Sequence, residues 1–285
     1  MEKIAITECP RDAMQGIVDF IPTEKKIQYL NLLLKVGFDR LDFGSFVSPR
    51  AIPQMRDTAE VLAGLTLDEN PQTKLLAIIA NERGARDAAE HEAISFLGFP
   101  FSVSETFQLR NTNQSIAQAT DTVLRILEVC DRSDKTPLVY LSMGFGNPYG
   151  DPWSAEIVAG YAEKLIGEGV KHLALADTIG NSSEQSITSL YSFLSSTFDQ
   201  VEWGLHLHST PADAVNKIRA GLAANCRRFD TAIRGFGGCP MAKDELTGNI
   251  PTETLLAQIE ATGLSSHLNE KAWADAMTYS WEIFR

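Results

Sequence analysis

VEWGLHLH (201–208) reads as a β-strand: aromatic and aliphatic residues alternate with others and run into two histidines two positions apart. Seven further short runs share its character. They are KIAIT (3–7), RLDF (40–43), KLLAII (74–79), EAISFL (92–97), PLVYLSM (137–143), KHLALA (171–176) and RRFDTAI (227–233). Several are apolar on both faces, as strands of a parallel sheet covered by helices are. The segments between them have apolar spacing near 3.6. TEKKIQYLNLLLKVG (23–37) predicts a helix with Ile27, Leu30, Leu34 and Val36 on one face, Thr23 as N-cap and Gly37 as its stop. SIAQATDTVLRILEVC (115–130) and WSAEIVAGYAEKLIGEG (153–169) repeat the scheme.

Eight strand–helix units are the number that closes an α/β chain into a (β/α)8 TIM barrel. An open doubly wound sheet is the alternative, but no GxGxxG follows the first strand. A length of 285 residues suits one such domain, with the barrel over about 1–262 and a helical extension over about 263–285. In that extension Trp273, Met277, Tyr279 and Trp281 are expected to pack on the barrel or on a second subunit.

Apolar residues make up 44% of the chain, enough for a large core. A net charge of −12 argues against nucleic acid and against anionic lipid, which both need a basic footprint. It leaves a small anionic substrate open, because the local charge of a site can oppose the global one. The four cysteines form neither a zinc pattern nor a disulfide framework, so a reducing, cytoplasmic setting is expected. No apolar run approaches the roughly 20 residues of a membrane span, and MEKIAITECP reads as a strand rather than a signal peptide.

In a closed barrel, strands 7, 8 and 1 are neighbours, and sites form at the C-terminal strand ends. Three stretches then meet on one rim: ECPRDAMQ (8–15), HLH (206–208) and GFGGCPMAKDELTGN (235–249). His206 and His208 point to the same face of their strand. With Asp12 and Asn249 they form a mixed nitrogen and oxygen set that suits Mg²⁺, Mn²⁺ or Co²⁺ at least as well as Zn²⁺. The plainer reading of the two histidines is as satisfied core residues. Arg11 is costly in an apolar mouth unless it holds an anion or pairs with an acid such as Asp42. Asp42 closes the second strand, where it either positions Arg11 or relays protons. Asp177 closes the sixth, and an Asx turn or helix cap explains it as well as a site role does. Cys239 sits in a glycine-rich loop, where a thiol beside a metal and an arginine can serve in proton transfer. Cys130 and Cys226 read as structural, and Cys9 lies near the same rim.

PRDAMQ (10–15), GSFVSPRAIPQM (44–55), ADTIG (176–180), HLH and the cysteine loop followed by PTE (251–253) resemble the 3-hydroxy-3-methylglutaryl-CoA (HMG-CoA) lyase family of metal-dependent TIM barrels. The resemblance covers nearly the whole chain, and the cysteine loop is its most specific part. It implies that Asp12, His206, His208 and Asn249 hold a divalent metal, Mg²⁺ or Mn²⁺, with Zn²⁺ or Co²⁺ as substitutes. It implies a catalytic group of Arg11, Asp12, Asp42, His206 and Cys239, with Arg11, Gln15, Ser45, Asp177 and Thr178 against the substrate. The implied reaction is retro-Claisen cleavage of HMG-CoA or a similar 3-hydroxyacyl-CoA to acetyl-CoA and a keto acid such as acetoacetate, a step of leucine degradation. A homodimer is implied as well.

Some positions depart from the family pattern. Thr7 stands where the family has an acid, with Glu8 beside it, and Asp42 replaces a Glu. GIVDF (16–20) replaces a lysine-bearing run expected near CoA, Met241 replaces a Tyr, and the cysteine loop has one extra residue before Gly248. These changes keep the chemical class and bear on the acyl group and its carrier. Two other readings remain open on residues alone: a condensing transferase joining acetyl-CoA to a 2-oxo acid, against which the cysteine loop argues, and a non-catalytic metal or acyl-CoA binder.

Overall fold

All eight expected strands are present in the computed structural model, which describes residues 3–68, 72–237 and 247–284. They are β1 (Ala5–Glu8), β2 (Arg40–Ser45), β3 (Lys74–Ile78), β4 (Ile94–Ser102), β5 (Thr136–Ser142), β6 (His172–Asp177), β7 (Glu202–Ser209) and β8 (Arg228–Thr231). Each pairs with its neighbours in parallel. The order β6-β5-β4-β3-β2-β1-β8-β7 closes through a β6–β7 ladder, which makes the sheet a TIM barrel. β1 pairs β8 from Ala5↔Arg228 to Glu8↔Thr231, and β2 at Thr7↔Arg40 and Glu8↔Leu41.

The helices are α1 (Pro10–Gln15), α2 (Thr23–Val36), α3 (Thr58–Ala63), α4 (Glu82–Ala89), α5 (Glu105–Thr112), α6 (Ile116–Ser133), α7 (Ala155–Gly167), α8 (Glu184–Thr197), α9 (Ala214–Ala223), α10 (Thr252–Ala261) and α11 (Glu270–Ile283). A two-residue strand, β9 (Gly248–Asn249), lies antiparallel on the end of β7 and sets His208 opposite Asn249. The sequence pattern contained no hint of it.

Period-two alternation sorts the strand residues. Ile6, Leu41, Phe43, Trp203, Leu205, Leu207 and Phe229 face the helices and join the main core. Leu76, Ile78, Leu138, Tyr140 and Ala174 form a smaller buried cluster. Near the N-terminal strand ends, Glu202 pairs with Arg40 and Arg228, each at 2.8 Å. Gly204 belongs to that layer because a Cβ there would run into the Arg228 guanidinium.

Some local expectations shift. In α2 the buried residues are Lys26, Tyr29, Leu30, Leu33 and Val36, a face rotated from Ile27 and Leu34. Lys26 is tolerated inside because its ammonium bonds Asp57 at 2.7 Å and the Gln54 carbonyl. Thr23 does not cap the helix. Pro22 takes that position, and the Thr23 hydroxyl donates to Asp57. Gly37 ends the helix with φ 84°, as expected. β4 runs on through Pro100, which removes no donor from the β3 ladder because β3 pairs only as far as Gly98. Beyond residue 262 a single helix, α11, returns to the barrel. Trp273 meets Phe38 edge-on, Tyr279 stacks on Tyr29, and Met277 packs on the core, whereas Trp281 is 47% exposed.

Glu8 alternates away from Thr7, so it does not replace the acid that the family places there. Its buried carboxylate accepts hydrogen bonds from Ile233 N at 2.7 Å and Thr252 Oγ1 at 2.6 Å. Burial outweighs those bonds and raises its pKa from the ordinary 4.5 to about 8. The folded chain therefore keeps a proton that the unfolded chain releases between those values. This group alone makes stability fall as pH rises through that window, by up to ~1.4 kcal/mol per pH unit. Glu8→Gln, measured by urea unfolding between about pH 5 and pH 8, is expected to flatten that decline. An unchanged slope would refute the assignment.

Candidate active site

The chain leaves β1 through Cys9 and turns directly into α1, where Pro10 at the first helical position supplies a suitable φ and lacks a donor that would go unpaired. The short helix places Arg11, Asp12 and Gln15 together. Gln15 Nε2 donates to Asp12 Oδ1 at 2.8 Å, and Arg11 Nη1 donates to Asp12 Oδ1 and Gln15 Oε1, each at 3.0 Å. Arg11 also forks onto Asp42 of β2, through Nε at 3.0 Å and Nη2 at 2.5 Å. Burial alone would lower the pKa of Arg11, but Asp42 and Asp12 outweigh it and raise it. Burial raises Asp42 to about 6 against the pull of Arg11. Asp42 is 1% exposed and sits within its strand, not at its end. It holds Arg11 and does not border the cavity described below.

His206 and His208 lie on one face of β7 with ring centroids 5.2 Å apart. Ligand atoms of Asp12, His206 and His208 all fall within 4.8 Å of one another. Asn249, the β9 partner of His208, donates its amide to Asp12 Oδ2 at 2.8 Å. Burial works against charge on Asp12, but Arg11, both histidines and the Asn249 amide bring its pKa down to about 2. Burial, with the neighbouring His206, lowers His208 to about 4. An ionised carboxylate and a neutral imidazole are the forms that bind a metal. The donor set also fits in a second respect: among the described residues, His208 Nε2 and Asn249 Oδ1 are buried without a hydrogen-bond partner. Buried polar atoms are normally satisfied, so two orphans beside a carboxylate are explained by a cation.

Each histidine is braced from behind. His208 Nδ1 meets the Thr178 carbonyl at 3.0 Å, and His206 Nδ1 meets Asp230 at 3.3 Å. These contacts leave Nε2 free to ligate. Burial opposes charge on His206, but Asp230 outweighs it and raises the pKa. Lys217 of α9 donates to the His208 carbonyl at 2.7 Å, to Asp177 at 2.9 Å and to the Gly180 carbonyl at 2.9 Å, which pins the ends of β6 and β7 together.

A cavity of about 360 Å³ opens over this group. Arg11, Asp12, Gln15, Thr178, His206 and His208 border it on one side, and Val47, Ala51, Ile52, Phe107, Arg110 and Asn111 border it elsewhere. Four expected site residues, Ser45, Asp177, Asp42 and Asn249, are absent from its walls, and Asn249 joins the group from behind through its bond to Asp12. The Ser45 hydroxyl accepts from Val47 N. Asp177 is fully buried between Ser182 and Lys217; it forms neither the expected Asx turn nor a helix cap, because its acceptors are taken by Ser182 five residues on and by the Lys217 ammonium, and Ser183 caps α8. Asp42 serves Arg11. Cys9 is buried behind His206 and Asp230, and burial keeps its thiol well above the ordinary range. Cys239 and Met241 lie outside the described residues.

The motif search missed Tyr140 and Asp230. Tyr140 borders the cavity with its ring 5.5 Å from that of His206. Asp230 is buried on the barrel side of β8. Its signal was a lone acid inside the apolar run RRFDTAI.

With this geometry in hand, similar proteins are informative. A 30% identity over 271 residues, 94% of this chain and 88% of the other, links it to hydroxymethylglutaryl-CoA lyase YngG of Bacillus subtilis (strain 168). A 3-hydroxy-3-isohexenylglutaryl-CoA/hydroxy-methylglutaryl-CoA lyase of Pseudomonas aeruginosa is 30% identical over 276 residues, 96% of this chain and 91% of that protein. The structure of an HMG-CoA lyase from Acinetobacter baumannii, in complex with coenzyme A and 3-methylmalate, matches with a TM-score of 0.90 at 30% identity. It covers 99% of this chain and 91% of that one. The sequence pattern described as HMGL-like runs from residue 3 to residue 278, through the barrel and into α11, and by that match the chain belongs to the HMGL-like family.

Proposed function

We propose that this chain is a metal-dependent carbon–carbon lyase that cleaves HMG-CoA, or a 3-hydroxyacyl-CoA close to it, into acetyl-CoA and a keto acid such as acetoacetate. One observation carries this reading. Asp12, His206 and His208 meet at the cavity wall with Asn249 bonded to Asp12 behind them, two of their ligand atoms have no partner among the described residues, and Arg11 stands beside them held by Asp12, Gln15 and Asp42. The relatives found are lyases, which favours cleavage over condensation.

Asp12, His206, His208 and Asn249 would hold a divalent cation, Mg²⁺ or Mn²⁺ first, with Co²⁺ and Zn²⁺ accepted by the same donors. When bound, such an ion lowers the pKa of a coordinated alcohol and neutralises a carboxylate beside it. The protein residues supply the rest. The 3-hydroxyl passes its proton to a basic group at the site and its carbon becomes the new ketone; one proton is given back when the enolate carbon is protonated. The bond between C2 and C3 breaks, and its electron pair passes into the thioester as an enolate. Arg11 stabilises the enolate oxygen, because Asp42 and Asp12 hold its guanidinium in place before charge develops. Protonation of the enolate carbon then gives acetyl-CoA. By resemblance this last step falls to Cys239. Gln15 orients Asp12 and Arg11 at the cavity wall, and Thr178 anchors His208 through its carbonyl. We place the barrel and α11 in one catalytic unit, working in a reducing compartment such as the cytosol. That placement agrees with the buried free thiols of Cys9, Cys130 and Cys226. Among the described residues no helix is long and apolar enough to cross a membrane.

Chelator-treated protein is expected to release no acetoacetate from HMG-CoA, and Mn²⁺ or Mg²⁺ to restore release. A full rate after exhaustive chelation sinks the metal assignment. Arg11→Met is expected to lower kcat by about 10³-fold with little change in Mn²⁺ affinity; a wild-type kcat would remove Arg11 from the mechanism. Asp230→Asn is expected to weaken Mn²⁺ binding by about 10-fold or more, because His206 loses the carboxylate that orients its ring. Equal affinities in calorimetry would show that the contact is only structural.

A further inference from the structure

Arg234, which directly follows Ile233 beyond β8, adopts φ 63°, the left-handed region that favours glycine. Such a choice persists only where surroundings compensate. The compensation comes from α11. Arg234 Nε donates to Ser280 Oγ at 2.9 Å and Nη2 to the Met277 carbonyl at 3.0 Å, while the guanidinium lies 3.7 Å over the Trp281 ring. Two residues on, Phe236 stacks on Phe284 with centroids 4.6 Å apart and planes 17° apart. The carbonyl of Phe236 accepts the Asn249 amide at 2.9 Å, and the same Nδ2 donates to Asp12 at 2.8 Å. Both partners are acceptors, so the amide has one orientation that satisfies them, and it leaves Oδ1 as the unpaired atom. Gly237 makes the approach possible, since a Cβ there would come within 2.6 Å of Asn249 Nδ2 and 2.9 Å of the Asp12 carbonyl.

We propose that the C-terminal helix builds part of the metal centre. Phe284 and the Arg234 anchor fix Phe236, and the Phe236 carbonyl turns the Asn249 amide so that its oxygen is presented beside Asp12, His206 and His208. Phe284, Phe236 and Arg234 are positioning residues, and none of them borders the cavity. The inference rests on the metal reading above and adds to it an element outside the barrel.

The test is Mn²⁺ titration of the chelator-stripped full-length protein, with free ion read by electron paramagnetic resonance. Phe284→Ala and Arg234→Gly are compared with wild type, Phe284→Leu and Asn249→Ala. Arg234→Gly keeps the left-handed turn and removes only the anchor, so it tests the proposal even where Phe284→Ala folds poorly. Both are expected to weaken Mn²⁺ binding by about tenfold, with Phe284→Leu close to wild type. Combining either with Asn249→Ala should add nothing further, because all act through one amide. Wild-type affinity in folded Phe284→Ala and Arg234→Gly overturns the inference while leaving the metal reading intact. Absence of Mn²⁺ binding by the wild type refutes the metal reading and the inference with it.

Discussion

The β1–β8 ladder is the contact on which the rest of this molecule depends. Four parallel pairs, Ala5↔Arg228 to Glu8↔Thr231, join the first strand to the eighth. They turn a twisted sheet into a ring without exposed edges. Asp12 thereby comes to lie beside His206 and Asn249, 194 and 237 positions further along the chain (206 − 12 and 249 − 12). An open sheet of the same strands would leave that carboxylate and those ligands at opposite edges.

Closure concentrates charge at the rim. Asp12, Asp42 and Asp230 are all buried there, and a protein of net charge −12 gains nothing from more negative potential. Arg11 and Arg228 answer part of it: Arg11 spans Asp12 and Asp42, and Arg228 lies 3.4 Å from Asp230. The remaining carboxylate charge faces two histidines and an unpaired amide oxygen. This surplus makes a dication the natural occupant and gives an anionic substrate a counter-charge in an otherwise acidic protein.

Around that group the supports come from many elements, each acting through a backbone or buried polar contact. Thr178 and Lys217 hold His208, Asp230 holds His206, and Phe236 holds Asn249. The candidate ligands therefore sit on a strand, a strand-like return and the first turn of α1, with their orientations set by protein contacts. The cavity beyond them has aliphatic and aromatic walls at Val47, Ile52 and Phe107, a surface suited to the apolar parts of an acyl thioester.

Much of this was legible in the sequence, because its signals are local. Strand alternation, helix spacing and the HLH pair follow from periods of two and 3.6, so barrel strands, their count and the shared face of His206 and His208 could be read directly. Arg11, Asp12 and Asn249 could be expected near the HLH pair because they follow strands whose neighbours in a closed barrel are known. Other features were decided only by tertiary structure. Whether Asp42 and Asp177 meet substrate or hold a cation depended on where Arg11 and Lys217 reached. Whether Ser45 faces the cavity depended on a turn of its own backbone. The rotated face of α2 followed from an acid at Asp57 that makes a buried Lys26 tolerable. β9 and the return of α11 onto Phe236 left no local trace, and Asp230 showed only as an acid in an apolar run without a partner to name, since a contact between distant residues has no period in sequence and exists only once the ring has closed.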